Sequence, residues 1–239
     1  MKTITLTFVL LLSFNLTAQS WFGKKIIGNG KQVTIERIVA DYEEINIAGA
    51  FEVELVKGTE GNLSIEIEEN LQDYLVTKLK GETLIIRWKQ GFKVRPKHTV
   101  HIIIPFIEIE GVNLAGSGKV KSTDSIATQE FEIELAGSGT IDLKLNTEEV
   151  DCSMAGSGSV ILKGNTNDFD CSKAGSGNLD SYGFKCENID ISSAGSGSAE
   201  VFVSYSLVAQ TAGSGSIYYK GDPKDDTLKV AGSGRILMK

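Results

Sequence analysis

Apolar and polar residues alternate in short runs along much of this chain. Phe131, Ile133 and Leu135 bracket Glu132 and Glu134, and Val150, Cys152 and Met154 bracket Asp151 and Ser153. Further on come Phe169 and Cys171, Ile189 and Ile191, then Leu207 and Ala209. Alternation with period two predicts strands with one buried face, and helical periodicity is absent from this half. Each run ends on Ala-Gly-Ser-Gly, starting at Ala115, Ala136, Ala155, Ala174, Ala194, Ala212 and Ala231. Successive copies are 21, 19, 19, 20, 18 and 19 residues apart. A second short strand is predicted after each copy, because Val120, Ile141, Val160, Leu179, Ala199, Ile217 and Ile236 all stand five residues past the alanine.

A unit of two short strands and no helix cannot bury its apolar face alone, but stacked on similar units it can. The fold class is therefore all-β, a parallel β-solenoid (β-helix) with turns of about 19 residues. Adjacent turns stack ~4.8 Å apart, and a turn of this length has a perimeter of ~60 Å. The structural corners are Gly116-Ser117-Gly118, Gly137-Ser138-Gly139, Gly156-Ser157-Gly158, Gly175-Ser176-Gly177, Gly195-Ser196-Gly197, Gly213-Ser214-Gly215 and Gly232-Ser233-Gly234. Glycine supplies the positive φ or close approach that a corner needs, and the serines stack along one edge. Their first role is corner hydrogen bonding, with a ligand-binding strip as the functional alternative. The residue before each alanine runs Leu114, Leu135, Met154, Lys173, Ser193, Thr211, Val230. Its three polar members predict a position that is only partly buried.

The first half has strands at similar spacing without the tetrapeptide. Gln32 to Val39, Tyr42 to Leu55, Leu63 to Ile67, Thr83 to Trp88 and Thr99 to Ile104 are the candidates. Ile47-Ala48-Gly49-Ala50-Phe51 has the form of a degenerate corner, Glu69 to Lys80 has some helical spacing, and Lys89 to Lys97 is a polar loop. Three segments follow: a leader at 1–18, an irregular β region or cap at 19–111, and regular repeats at 112–239. Lys2, the apolar run Ile4 to Leu16 and Thr17-Ala18 have the form of a secretory signal, too short to span a membrane. The chain is expected to be exported, to the periplasm, the cell surface or beyond, with no transmembrane span. Its last turn carries no separate cap, so self-association through solenoid ends is expected there.

Composition narrows the partners. A net charge of −7 offers no basic patch, which argues against nucleic acid and against anionic lipid. Cys152 and Cys171 fill the same apolar slot in consecutive turns and pack as small hydrophobes; a disulfide between them is an open alternative in an oxidising compartment. Cys186 has no obvious mate. Gly28-Asn29-Gly30 matches part of a nucleotide-binding turn, but a strand follows where a helix is required.

Tyr42-Glu-Glu-Ile-Asn-Ile-Ala-Gly-Ala-Phe-Glu-Val-Glu-Leu55, then Lys57-Gly58 and the serial Gly-Ser-Gly corners, resemble the bacterial family of the putative auto-transporter adhesin, head GIN domain. The resemblance covers about residues 35 to 235, and the Ala-Gln after the leader resembles leaders of Bacteroidota, where this family is common. It implies an exported β-solenoid of the cell envelope or surface, with adhesion as its proposed role and no established catalytic residues. Ending on a repeat, the chain is not expected to carry the C-terminal membrane barrel of a strict autotransporter.

Chemistry is sparse. Glu132, Asp151, Asp170 and Asp190 stand four residues before the alanine in consecutive turns, and the column stops at Gly111 and Val208. It is first a solvated strand face; a cation or sugar strip is the functional alternative. Only two histidines, His98 and His101, are present, both in the first half, so no Ser-His-Asp or Cys-His arrangement and no metal site is expected. Trp88, Phe92, Tyr205, Tyr218 and Tyr219 are the candidates for a carbohydrate platform, otherwise ordinary strand packing. The expected function is a non-catalytic structural or adhesive module without cofactor, its partner a surface glycan or envelope protein. A carbohydrate-binding module and, below it, a polysaccharide-acting β-helix enzyme are the alternatives.

Overall fold

A computed structural model describes residues 24–239; the predicted leader at 1–18 lies outside them. The strands of the first half are β1 (Lys24–Ile27), β2 (Gln32–Ile38), β3 (Glu44–Ala48), β4 (Phe51–Lys57), β5 (Asn62–Glu68), β6 (Leu75–Lys80), β7 (Thr83–Trp88), β8 (Phe92–Arg95) and β9 (Val100–Phe106). The repeats supply β10 (Gly111–Gly116), β11 (Lys119–Ala127), β12 (Glu130–Gly137), β13 (Thr140–Asn146), β14 (Glu149–Gly156), β15 (Ser159–Gly175), β16 (Asn178–Gly195), β17 (Ala199–Gly213), β18 (Ile217–Lys220), β19 (Asp225–Gly232) and β20 (Ile236–Met238). The helical spacing after Glu68 becomes a 3-10 helix only at Glu69–Tyr74, with Leu71 turned into the core and β6 following. The loop expected at Lys89 to Lys97 contains β8, which pairs in parallel with β1.

The fold is a parallel β-solenoid. Strands that lead into a corner form one stack: β7, β3, β10, β12, β14, the second halves of β15, β16 and β17, then β19. Strands that leave a corner form the other: β9, β4, β11, β13, the first halves of β15, β16 and β17, then β18 and β20. The buried rows between the stacks make one continuous core; Leu84, Ile45, Val112, Ile133, Cys152, Cys171, Ile191 and Ala209 form a single file through it.

Coil order differs from chain order at one place. The β7–β9 coil lies outboard of the β3–β4 coil, and β10 with β11 returns to the opposite side of β3 and β4. The first coil laid down is thus enclosed on both sides. Beyond β9, β5 pairs antiparallel to it and β2 antiparallel to β5, while β6 runs antiparallel to β7. This end is therefore closed by reversed strands. At the other end Leu228, Val230, Leu237 and Met238 are exposed, and Asp226 stands in register with core-facing Leu207. A charge in a core-facing row opposes edge-to-edge pairing at that rung.

Candidate functional site

The corner alanines lie side by side, Ala48 with Ala115 and then Ala136, Ala155, Ala174, Ala194, Ala212 and Ala231. The first glycine of each tetrapeptide has φ between 115° and 133°. At Gly175 a Cβ would also collide with the carbonyl oxygen of Gly156 in the coil before, so the coils approach too closely for any side chain. Backbone N–H groups of Ser138, Ser157, Ser176, Ser196, Ser214 and Ser233 donate to the first-glycine carbonyl of the preceding coil at 2.8–3.0 Å. The corner bond is therefore made by serine backbone. The seven corner hydroxyls are exposed and make no hydrogen bond among the described residues.

The position before the alanine is buried in every copy but the last, contrary to the sequence expectation: Lys173 is 3%, Ser193 5% and Thr211 3% exposed. The cause lies in the backbone. In the earlier coils the residue after the second glycine donates to the preceding second-glycine carbonyl: Thr140 to Gly118, Ser159 to Gly139 and Asn178 to Gly158, at 2.9–3.0 Å. Later this bond is lost. Ser198 N–H goes to Asn178 Oδ1 and Arg235 N–H to Ser216 Oγ. The released carbonyls need donors from inside, since an unpaired buried carbonyl is unfavourable. Lys173 Nζ donates to Gly177 O at 2.9 Å and Gly197 O at 2.7 Å, and Thr211 Oγ1 donates to Gly215 O at 3.0 Å. Burial lowers the Lys173 pKa, opposed in part by the neighbouring Cys171.

Along the outside of this row runs a groove of about 850 Å³. It passes over the alanines from Ala136 to Ala231, with Ser153, Ser172 and Ser192 beside them and mostly apolar walls. Six rungs at ~4.8 Å make it ~24 Å long. Glu134 flanks one end and Lys229 the other. The Lys173 and Ser193 side chains belong to the core-facing row with Leu135 and Met154, across the sheet from the groove. The Ser193 hydroxyl, unlike Lys173 and Thr211, makes no hydrogen bond among the described residues.

Next to the groove lies an acidic face. Glu132, Asp151, Asp170 and Asp190 are in register, and Glu44 continues the column past Gly111. A second column, Glu130, Glu149 and Asp168, runs beside it. Desolvation, then the carboxylates around each, raises the pKa of Glu132, Glu149 and Asp170. Oxygens of Glu149, Asp151 and Asp170 lie within 4.8 Å of one another, close enough to share a hard cation, but all three side chains are exposed surface acids.

The aromatic candidates do not form one platform. Trp88 packs on Phe51 at 5.1 Å and Phe92 against Tyr74 at 4.9 Å, both in the first half. Tyr205 and Tyr218 lie in the last coils under Lys224 and Lys239, and Tyr219 packs on the core. Cys152 and Cys171 face each other as free buried thiols, and that contact together with burial holds the Cys152 pKa well above its ordinary value. His101 pairs with Glu52 at 3.2 Å, away from the groove.

Sequence reasoning passed over Glu68, which is 1% exposed. Its carboxylate accepts from the N–H of Gly30 at 2.6 Å and of Lys97 at 2.7 Å, and a Cβ on Gly28 would collide with it. The Gly28-Asn29-Gly30 turn is thus shaped around a carboxylate of the same chain.

The family model for the putative auto-transporter adhesin, head GIN domain matches residues 41–223. A putative adhesin from Bacteroides fragilis has a TM-score of 0.83 at 24% identity over 90% of this chain and 100% of its own. A putative adhesin from Parabacteroides merdae scores 0.70 at 22%, over 90% and 99%. At those identities the likeness shows the fold. A putative lipid binding protein from Parabacteroides distasonis scores 0.75 at 30% identity, over 90% of this chain and 100% of its own. No curated protein matches the chain. Among the described residues no helix is long and apolar enough to cross a membrane.

Proposed function

Because this chain belongs to the putative auto-transporter adhesin, head GIN domain family, we propose that it is an exported, non-catalytic module that adheres by holding an extended acyl chain in its groove. One observation carries the reading: a mostly apolar trough crosses six coils without interruption. Among the described residues no nucleophile, base and oxyanion donor converge on it, which favours holding over turnover. Alanine floors suit a flexible polymethylene chain, because a smooth apolar surface gains burial without demanding directional contacts. The 30% identical Parabacteroides distasonis protein, described as lipid binding, supports an acyl ligand over a glycan. The scattered aromatics point the same way, since a sugar platform needs neighbouring rings. The leader-like residues 1–18 support export to the envelope or surface.

The test is retention of envelope lipids by the mature chain, read by mass spectrometry, beside Ala174→Trp and Ala194→Trp variants that fill the groove. The wild type is expected to retain acyl lipids and the tryptophan variants to lose them with unchanged far-ultraviolet circular dichroism. Retention unaffected by both tryptophans overturns the reading. Specific glycan binding that disappears on changing Trp88 or Tyr218 would replace it with the carbohydrate alternative.

A further inference from the structure

The last coil differs from the others in both exposure and charge. Leu228, Val230, Leu237 and Met238 are between 39% and 58% exposed, because among the described residues no strand stacks beyond β19 and β20. Tyr205 and Tyr218 stand beside this apolar tip, under Lys224 at 5.2 Å and Lys239 at 4.7 Å. Residues 217–239 carry five basic and three acidic side chains, on a chain whose net charge is −7. Lys220, Lys224, Lys229, Arg235 and Lys239 make no ion pair among the described residues. The acidity that argues against anionic lipid for the whole chain is thus reversed at this end. Exposed aliphatics ringed by tyrosines and free cations suit a bilayer surface. The aliphatics reach the acyl boundary, the rings sit among head groups, and the cations meet phosphates. The groove runs into the same tip, its last rung being Lys229, Val230 and Ala231.

We propose that this tip docks on an anionic bilayer surface and holds the Lys229 end of the groove against the lipid. The second half rests on the groove being the acyl surface; the first half does not. Docking is shallow. The outer edges of β19 and β20 present N–H and C=O groups without a strand partner among the described residues. Such groups stay in the hydrated head-group layer, so only side chains reach the acyl boundary. An acyl chain leaving the bilayer at this point enters the trough lengthwise. A second copy of the chain is the competing occupant, but Asp226 opposes strand pairing at its rung.

Flotation of the mature chain with vesicles of phosphatidylglycerol or of phosphatidylcholine tests the docking, beside light scattering of the chain alone. Phosphatidylglycerol is expected to bind roughly tenfold better and to lose that advantage in high salt. Arg235→Gln with Lys239→Gln should lower phosphatidylglycerol binding about tenfold. Leu237→Gln with Met238→Gln should weaken binding to both vesicles, by about threefold or more. None of these four residues lines the groove, so decanol affinity by calorimetry and the far-ultraviolet spectrum should stay unchanged. Ala174→Trp and Ala194→Trp should do the reverse, losing decanol and keeping vesicles. Equal binding to the two vesicle types, or binding indifferent to both pairs of tip substitutions, overturns the docking. So does a dimer in light scattering that Leu237→Gln with Met238→Gln dissociates, which would make a second copy the occupant. Vesicle binding without decanol binding overturns the groove and leaves the docking standing.

Discussion

From Gly111 onward every strand lies on the strand one repeat earlier, and the earlier corners close through backbone groups and glycine, with Lys173 and Thr211 supplying donors only in the later coils. Before Gly111 the coils are out of order, their outer strands reverse direction, and buried side chains make the closing bonds. Glu68 ties Gly30 to Lys97. Arg37 reaches Leu75 O at 2.7 Å and Gln72 O at 2.5 Å, and the Tyr42 hydroxyl donates to Pro105 O. Where the backbone repeats its own geometry, its hydrogen bonds are satisfied by the next copy. Where it does not, a polar side chain has to be buried to satisfy them. Lys173 shows the same rule inside the repeats, at the coils where the backbone bond after the second glycine is lost.

The sharpest way to break the comparison is at a repeat corner. Gly175→Ala meets both a φ of +118° and the Gly156 carbonyl, and should cost about 3 kcal/mol in denaturant unfolding. Gly81→Ala, at φ +63° with nothing within 4 Å of the added carbon, should cost only about 1 kcal/mol. In the first half, Glu68→Ala orphans two N–H groups and should cost about 2 kcal/mol. Hydrogen exchange would rise at β1 and near Lys97 while β12 to β16 stay protected; uniform loss of protection would mean the two regions fold as one unit. Lys173→Met removes two donors but also relieves the burial of a charge, so the net loss should be about 1 kcal/mol. The smallest effect belongs to the acidic face. Raised pKa values on Glu132, Glu149 and Asp170 mean that their favourable contribution is complete below the ordinary carboxylate range. It is lost as pH rises through the raised values. Tm should therefore rise by ~2 °C or less from pH 7 to pH 5, and the Asp151→Asn, Asp170→Asn, Asp190→Asn triple variant should flatten that slope.

The regular half was legible because every copy of the tetrapeptide fixes a register, so Val120 and its equivalents could be placed before any coordinates. Gly49 was legible for the same reason; it occupies the corner column, donating to Ala115 O and accepting from Gly118 N–H. Coil order was hidden, because β7 and β9 carry no marker of which neighbour they join. The burial of Lys173 and Thr211 was misread because hydropathy records a side chain's cost in apolar surroundings and is blind to a carbonyl left open four residues away. Asp226 was missed likewise: the alternation that marks its row fades in the last coil. The groove has no motif at all. It exists because six alanines line up in three dimensions.

The position of the β3–β4 coil between two others sets an order of assembly. A chain emerging amino end first displays that coil with both edges bare until residues 83–127 have followed. After that, each newly delivered repeat finds a finished template and adds outward in one direction. Shortening the rod from its carboxyl end should thus leave stubs of decreasing length, whereas deleting residues 44–57 removes the foundation on which every later course is laid.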